Sequence, residues 1–141
     1  MQKTLRTVRT IMAMLRRFRR AVLSLCAVGL LIWMGVEDHS AATPVVFGFI
    51  FSGLFILHRD GRMLGHRSTE VALILAGSGI GLGTALTAAL LMVIKTGWHA
   101  HLFPDFPPGM ILDVLARAPW WGAAGAFVGL GAALLARWRR R

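Results

Sequence analysis

The residues most able to bind a metal ion are His99 and His101, with Asp105 four residues further on. Imidazole nitrogen and carboxylate oxygen are both common metal ligands. In an extended segment, residues i and i+2 lie on one face, so the two imidazoles could bind the same ion. The alternative is a set of ordinary polar loop residues. We favour it, because the set has no cysteine and no spacing typical of a known site. We expect no metal and no other cofactor.

No other residue pattern indicates catalysis. The sequence contains no P-loop, no serine nucleophile motif and no pair of carboxylates spaced for acid–base chemistry. The alternating glycines at 79–83 lie inside an apolar run, which is typical of a helix-packing element and not of a dinucleotide site. We therefore expect that the protein is not an enzyme.

Aromatic residues gather around the same part of the sequence. They are Trp98, Phe103, Phe106, Trp120 and Trp121. Aromatic side chains are typical of a membrane–water interface, and they are also frequent anchors in protein–protein contacts. Three prolines stiffen residues 103–108, so we expect the rings of Phe103 and Phe106 to be exposed and available to a partner.

Basic residues flank the apolar runs and could bind anionic lipid head groups. The candidates are Arg16, Arg17, Arg19, Arg20, Arg59, Arg62 and Arg67. The same residues would also satisfy the positive-inside rule with no ligand at all. The formal net charge of +10 does not indicate nucleic-acid binding, because the charges lie beside the apolar runs and do not cover one folded face. We expect lipid and membrane-protein partners, or a homo-oligomer, and no nucleic acid.

The apolar runs predict an all-α integral membrane protein. The chain is 56% hydrophobic with a mean hydropathy of +0.64. Spans are predicted at about 18–36, 41–57, 71–94 and 119–138, since about 20 apolar residues cross a bilayer. Residues 1–20 are predicted to form a basic amphipathic helix, residues 110–118 a short interfacial helix, and residues 139–141 a basic tail. A cleaved signal within residues 1–42 is the alternative for the first span.

The distribution of charge predicts the orientation of the chain. With both ends in the cytoplasm, fourteen of the sixteen Lys and Arg residues lie on the cytoplasmic side. The remaining two, Lys95 and Arg117, lie in the longest external loop, predicted at 95–118. Such a split across alternating loops follows the positive-inside rule and supports an even number of spans. We expect no ionisable residue inside any span.

Small residues at three- and four-residue spacings predict close helix packing in the last two spans. They are Gly77, Gly81 and Thr84 in one span and Gly122, Gly125 and Gly129 in the other. In lipid, such faces allow helix backbones to approach closely. A second small face, with Gly79 and Gly83, indicates a neighbour on the opposite side as well.

These observations favour a non-catalytic subunit or assembly factor of a larger complex in a bacterial inner membrane. Respiratory, photosynthetic and secretion or conjugation complexes all contain small proteins of this kind. The second hypothesis is a self-assembling pore similar to a holin. The third is a metal-dependent membrane enzyme that uses His99 and His101.

Overall fold

The computed structural model describes the chain at residues 2–36, 38–63, 69–99 and 104–139. Side chains are described within these ranges except at 2–16, 19, 59–63, 69 and 99. All regular structure in these ranges is helical, which confirms the predicted all-α class. The helices are α1 (Gln2–Gly35), α2 (Ala42–Met63), α3 (Thr69–His99), α4 (Pro108–Ala116) and α5 (Ala118–Trp138).

Helix α1 runs without a break from the basic leader into the first apolar run. The predicted amphipathic helix of residues 1–20 is therefore not a separate element. The chain divides into two compact units, one of residues 1–38 and one of residues 39–141. Near the end of the first unit, the Trp33 indole Nε1 donates a hydrogen bond of 3.0 Å to Asp38 Oδ2.

Helix α2 begins where the sequence predicts it, with Pro44 buried in its first turn. The Ser40 hydroxyl oxygen accepts a 3.2 Å hydrogen bond from the Ala42 N–H and so satisfies a donor at the helix start. The helix continues to Met63. Its last turns include Asp60-Gly61, although this dipeptide commonly marks a turn.

Helix α3 is the centre of the second unit and packs against both α2 and α5. Contacts with α5 run antiparallel: Gly81 meets Trp121, Gly77 meets Gly125, and Leu73 meets Gly129. On its other side α3 meets α2, where a Cβ atom at Gly48 would lie 2.6 Å from the Thr84 carbonyl oxygen. Both neighbours predicted from the two small faces of α3 are thus present within this one chain.

Helices α4 and α5 are joined by a single residue, Arg117, which itself has right-handed helical dihedral angles (φ −81°, ψ −10°). The Arg117 N–H bonds to the Val114 carbonyl in a tighter, i→i−3 pattern. Pro119 cannot donate to the carbonyl of Leu115, which explains the irregular turn at this point. The short helix predicted at 110–118 is confirmed as α4, and only Arg117 separates it from α5; its interfacial location stays a prediction.

Two helical stretches are long and apolar enough to span a membrane, Glu70–Trp98 and Pro108–Trp138. The apolar stretches Arg20–Gly35 and Ala42–His58 are shorter, at 10–17 residues. The second stretch combines α4 with α5, so its start lies about ten residues before the predicted span at 119–138.

The sizes of the buried and exposed apolar residues are the reverse of those in a water-soluble protein, where large apolar side chains fill the core. Buried positions are mainly small, such as Ala85 and Ala88 in α3 and Gly122 and Gly129 in α5. Large apolar side chains lie on the outside, for example Phe49 at 60% exposure. Several others are exposed in the same way. They are Phe55, Leu57, Leu86, Leu90, Trp98, Trp120, Phe127 and Val128. Small interiors with bulky exteriors are typical of helices that pack in lipid.

Candidate functional site

A cluster of buried polar and aromatic groups lies at the C-terminal end of α3. Its central residue is Lys95, which has no exposed surface, and its Nζ lies 5.8 Å from the centroid of the Phe106 ring. This distance allows a cation–π attraction. The sequence places Lys95 in an external loop, and the structure corrects this: it lies inside α3 and inside the apolar stretch Glu70–Trp98. Lys95 is therefore an ionisable residue inside a stretch that is apolar enough to span a membrane, where the sequence leads us to expect none.

The Phe106 ring packs against Lys95 and covers one side of this cluster. It is only 1% exposed, and the Phe106 N–H donates a 3.3 Å hydrogen bond to the Thr96 hydroxyl oxygen. The prediction that the Phe106 ring is exposed for a partner is wrong, because the segment before α4 folds back onto α3 and buries the ring over Lys95. Phe103, the other predicted anchor, lies outside the described residues.

Asp105 connects the cluster to the segment that precedes α2. Its residue surface is 5% exposed. Its backbone carbonyl oxygen lies 3.1 Å from His39 Nδ1, so the ring donates this bond in the tautomer that carries the proton on Nδ1. The cluster of His39, Lys95, Thr96, Asp105 and Phe106, which we call the Lys95 cluster, thereby fastens the end of α3 to the segments before α2 and before α4.

The contacts of the Lys95 cluster connect the end of α3 to the segments before α2 and before α4. A buried ammonium group is costly unless neighbouring groups compensate its charge. An aromatic face lies close to it, and the four C-terminal carbonyls of α3, which carry partial negative charge, are nearby in the chain. Two hydrogen bonds of the cluster involve backbone groups of Asp105 and Phe106. These contacts hold residues 105 and 106 against the end of α3.

The predicted metal residues are only partly described. Asp105 belongs to the Lys95 cluster, whereas the side chain of His99 and the whole of His101 lie outside the described residues. Among the side chains that are described, no three of His, Cys, Asp or Glu approach one another closely enough to hold a metal ion.

The predicted aromatic surface is divided between two places. Trp98 at the end of α3 is 75% exposed, and Trp120 in α5 is 77% exposed. Trp121 lies beside Gly81, which is 17 residues before Trp98 along α3. At 1.5 Å per residue this is about 25 Å, so the two tryptophan groups do not form one surface.

The predicted packing residues lie where α3 and α5 touch. A Cβ atom built on Gly77 would collide with the Gly125 carbonyl, and one built on Gly125 would collide with the Gly77 carbonyl. A Cβ atom on Gly129 would likewise collide with the Leu73 carbonyl, and one on Gly122 would lie 2.9 Å from the Leu82 side chain. Only glycine leaves room for two backbones at this distance.

Thr84 completes this set on the α2 side. Its hydroxyl donates a 2.7 Å hydrogen bond to the Ile80 carbonyl in the preceding turn, so its polar group is satisfied within α3. Next to it, Ser52 of α2 and Thr87 of α3 place their hydroxyl oxygens 3.5 Å apart. An apolar groove of about 590 Å³ lies between α2 and α5, with Gly77, Gly81 and Thr84 among its lining residues.

The candidate lipid-binding arginines are described only in part. Arg17 and Arg20 are exposed on α1. Arg16, Arg19, Arg59 and Arg62 lie in helices but their side chains are outside the described set, as is all of Arg67. Lipid contact by these residues stays a prediction.

The burial of Lys95 is the feature that sequence reasoning missed. The only signal for it is the absence of a helix-breaking proline between Ile94 and Pro104, which lets the helix continue past the end of the uncharged run. No protein-family model matches this chain, and no match was found among curated proteins or solved structures.

Proposed function

We propose that this protein is a four-span membrane protein with both ends in the cytoplasm, and that it acts without catalysis as a small subunit or assembly factor of a larger complex. The observation that carries this proposal is the reversed distribution of side chains, with Gly and Ala buried and Phe, Trp and Leu exposed. A soluble monomer rarely exposes so much continuous apolar surface. The surrounding medium is then lipid or the spans of other proteins.

The two shorter apolar stretches are long enough to serve as the remaining spans. The apolar stretch Ala42–His58 of α2 has 17 residues, about 26 Å at 1.5 Å per residue, which is the lower end of the range that crosses a bilayer core. In α1, the exposed Arg20 can extend its guanidinium to the interface, so that Phe18 adds to the apolar stretch. The basic leader and tail favour a cytoplasmic location for both ends in a bacterial inner membrane.

Reporter fusions test this topology. A reporter that is active only outside the cytoplasm should be active when fused after Asp38 and silent when fused after Asp60 or after the last residue. Activity at the C-terminal fusion would contradict the four-span arrangement.

Native electrophoresis tests the role in a complex. Solubilised from its native membrane in mild detergent, the tagged protein should migrate with a complex of fixed composition, and deletion of its gene should reduce the amount of that complex. The competing pore hypothesis predicts a large homo-oligomer and loss of the membrane potential on expression. That result would overturn the subunit proposal.

A further inference from the structure

The exposed face of the α4–α5 helix carries an unusual pair of charges. Asp113 and Arg117 are both exposed, and their i,i+4 spacing places them on the same face of the helix. Within the described part of the chain, the structure shows no ion pair joining their side chains. Val114, which is buried at 4% exposure, lies about 60–100° around the helix from them.

These charges lie deep along the apolar length of α3. Trp121 is beside Gly81 and the helices are antiparallel, so Arg117 is level with about Ala85 and Asp113 with about Ala89. Helix α4 also packs against α3, and Phe106, two residues before α4, contacts Lys95 and Thr96 of α3, which agrees with this alignment. The uncharged run of α3 extends from Val71 to Ile94. Arg117 is therefore about 14 Å from one end of that run and about 21 Å from the other.

The same face continues along α5 with large and small residues in alternation. At successive spacings of three and four residues it presents Trp120, Ala124, Phe127 and Gly131, all exposed. The buried glycines Gly122 and Gly129 lie on the opposite side, against α3. A face with this spacing can pack along a parallel helix, with small residues allowing close approach and large ones filling the spaces between.

We propose that two copies of this chain associate through this face, with Asp113 of each copy paired to Arg117 of the other. The proposal rests on the membrane location proposed above. Copies of one chain insert in the same orientation, so a two-fold axis along the membrane normal makes their α5 helices parallel. Each acid then lies one helical turn from the partner's base, a distance that the long arginine side chain can bridge, as between coiled-coil helices.

Charge complementarity is what favours a second copy over lipid tails. Lipid hydrocarbon offers no counter-charge, and ionisable groups at this depth are normally paired or face a water-filled space. One second copy satisfies both the acid and the base at once.

Disulfide cross-linking in native membranes tests this contact. With the single cysteine removed as Cys26→Ser, Gly131→Cys places a thiol on the proposed face, at a position where an added Cβ meets nothing within 4 Å. We expect a cross-linked homodimer. Leu130→Cys is the matched control, since it is 40% exposed on the same helix but is rotated about 100° away. It should give little dimer.

Charge exchange identifies the pair. Arg117→Asp makes an all-acid copy and Asp113→Arg an all-base copy, and in each homodimer like charges meet. Like charges in an interface are strongly unfavourable, so the Gly131→Cys cross-link should fall at least about tenfold in either variant alone. When the two are expressed together, a mixed dimer should recover, which neither an intrachain pair nor lipid contact can produce.

Membrane integration of every sample is measured by carbonate extraction, which separates the two proposals. An integrated chain that gives no homodimer, or one whose cross-link is insensitive to the charge changes, overturns the dimer alone and indicates lipid on this face. A cross-link to another protein in place of a homodimer likewise overturns it. A chain that carbonate releases from the membrane overturns the proposed membrane location.

Discussion

The contact between Gly77 and Gly125 predicts that one added methyl group will separate α3 from α5. In Gly125→Ala, the new Cβ would lie 2.7 Å from the Gly77 carbonyl carbon, whereas carbon atoms pack best at about 3.5–4.0 Å. The helices must move apart by about 1 Å, because the obstructing atoms are backbone and have no rotamer to change. Overpacking of this kind costs about 1–3 kcal/mol.

Gly131→Ala is the matched control in the same helix. A Cβ atom at Gly131 meets nothing within 4 Å inside the chain. In micelles dilute enough to keep the protein monomeric, where the dimer contact proposed for Gly131 is absent, this variant reports only the change in helix propensity, which favours Ala by up to about 1 kcal/mol. Since both variants make the same chemical change, the difference between their unfolding free energies isolates the packing cost. We expect Gly125→Ala to be less stable than Gly131→Ala by about 1–3 kcal/mol.

Reversible unfolding in mixed detergent micelles, followed by loss of helical circular dichroism, measures this difference. Equal stability of the two variants would show that α3 and α5 are not in backbone contact at Gly125. The register of α5 against α3, from which the depth of Asp113 and Arg117 along α3 is derived, would then be wrong.

Three further outcomes follow from the contacts described above. Phe106→Ala should lower the unfolding free energy by about 3–5 kcal/mol in the same assay, because this ring is buried. Trp98→Ala should change it by less than about 0.5 kcal/mol, because this ring is exposed. Similar losses in the two variants would show that the Phe106 ring is exposed as well. Thr96→Val should cost about 0.5–1.5 kcal/mol through the lost hydrogen bond to the Phe106 N–H, and an unchanged stability would remove that bond from the cluster. Gly48→Ala should destabilise the α2–α3 contact relative to Gly53→Ala, where an added Cβ meets nothing, and the reverse order of stabilities would exclude that contact.

Helical class and the packing faces could be predicted from the sequence because both depend on local periodicity. An uncharged run of 24 residues can bury its backbone polar groups in lipid only as a helix, and residues four apart share a face in any helix. Gly77 and Gly81 therefore had to lie on one side of α3. What periodicity could not specify is the neighbour, and the structure supplies α5 of the same chain.

The positions of Lys95, Phe106 and Trp121 were decided by tertiary structure alone. A lysine after an apolar run and a phenylalanine among prolines both suggest an exposed loop, and nothing local distinguishes this from a loop folded back over its own helix. That choice depends on contacts between residues ten or more positions apart, such as Thr96 with Phe106. Likewise, the depth of Trp121 follows from the register at which α5 meets α3. Composition therefore determined that the chain forms apolar helices, while the register and the loop closure, which depend on non-local contacts, determined which polar and aromatic groups are buried and which remain exposed.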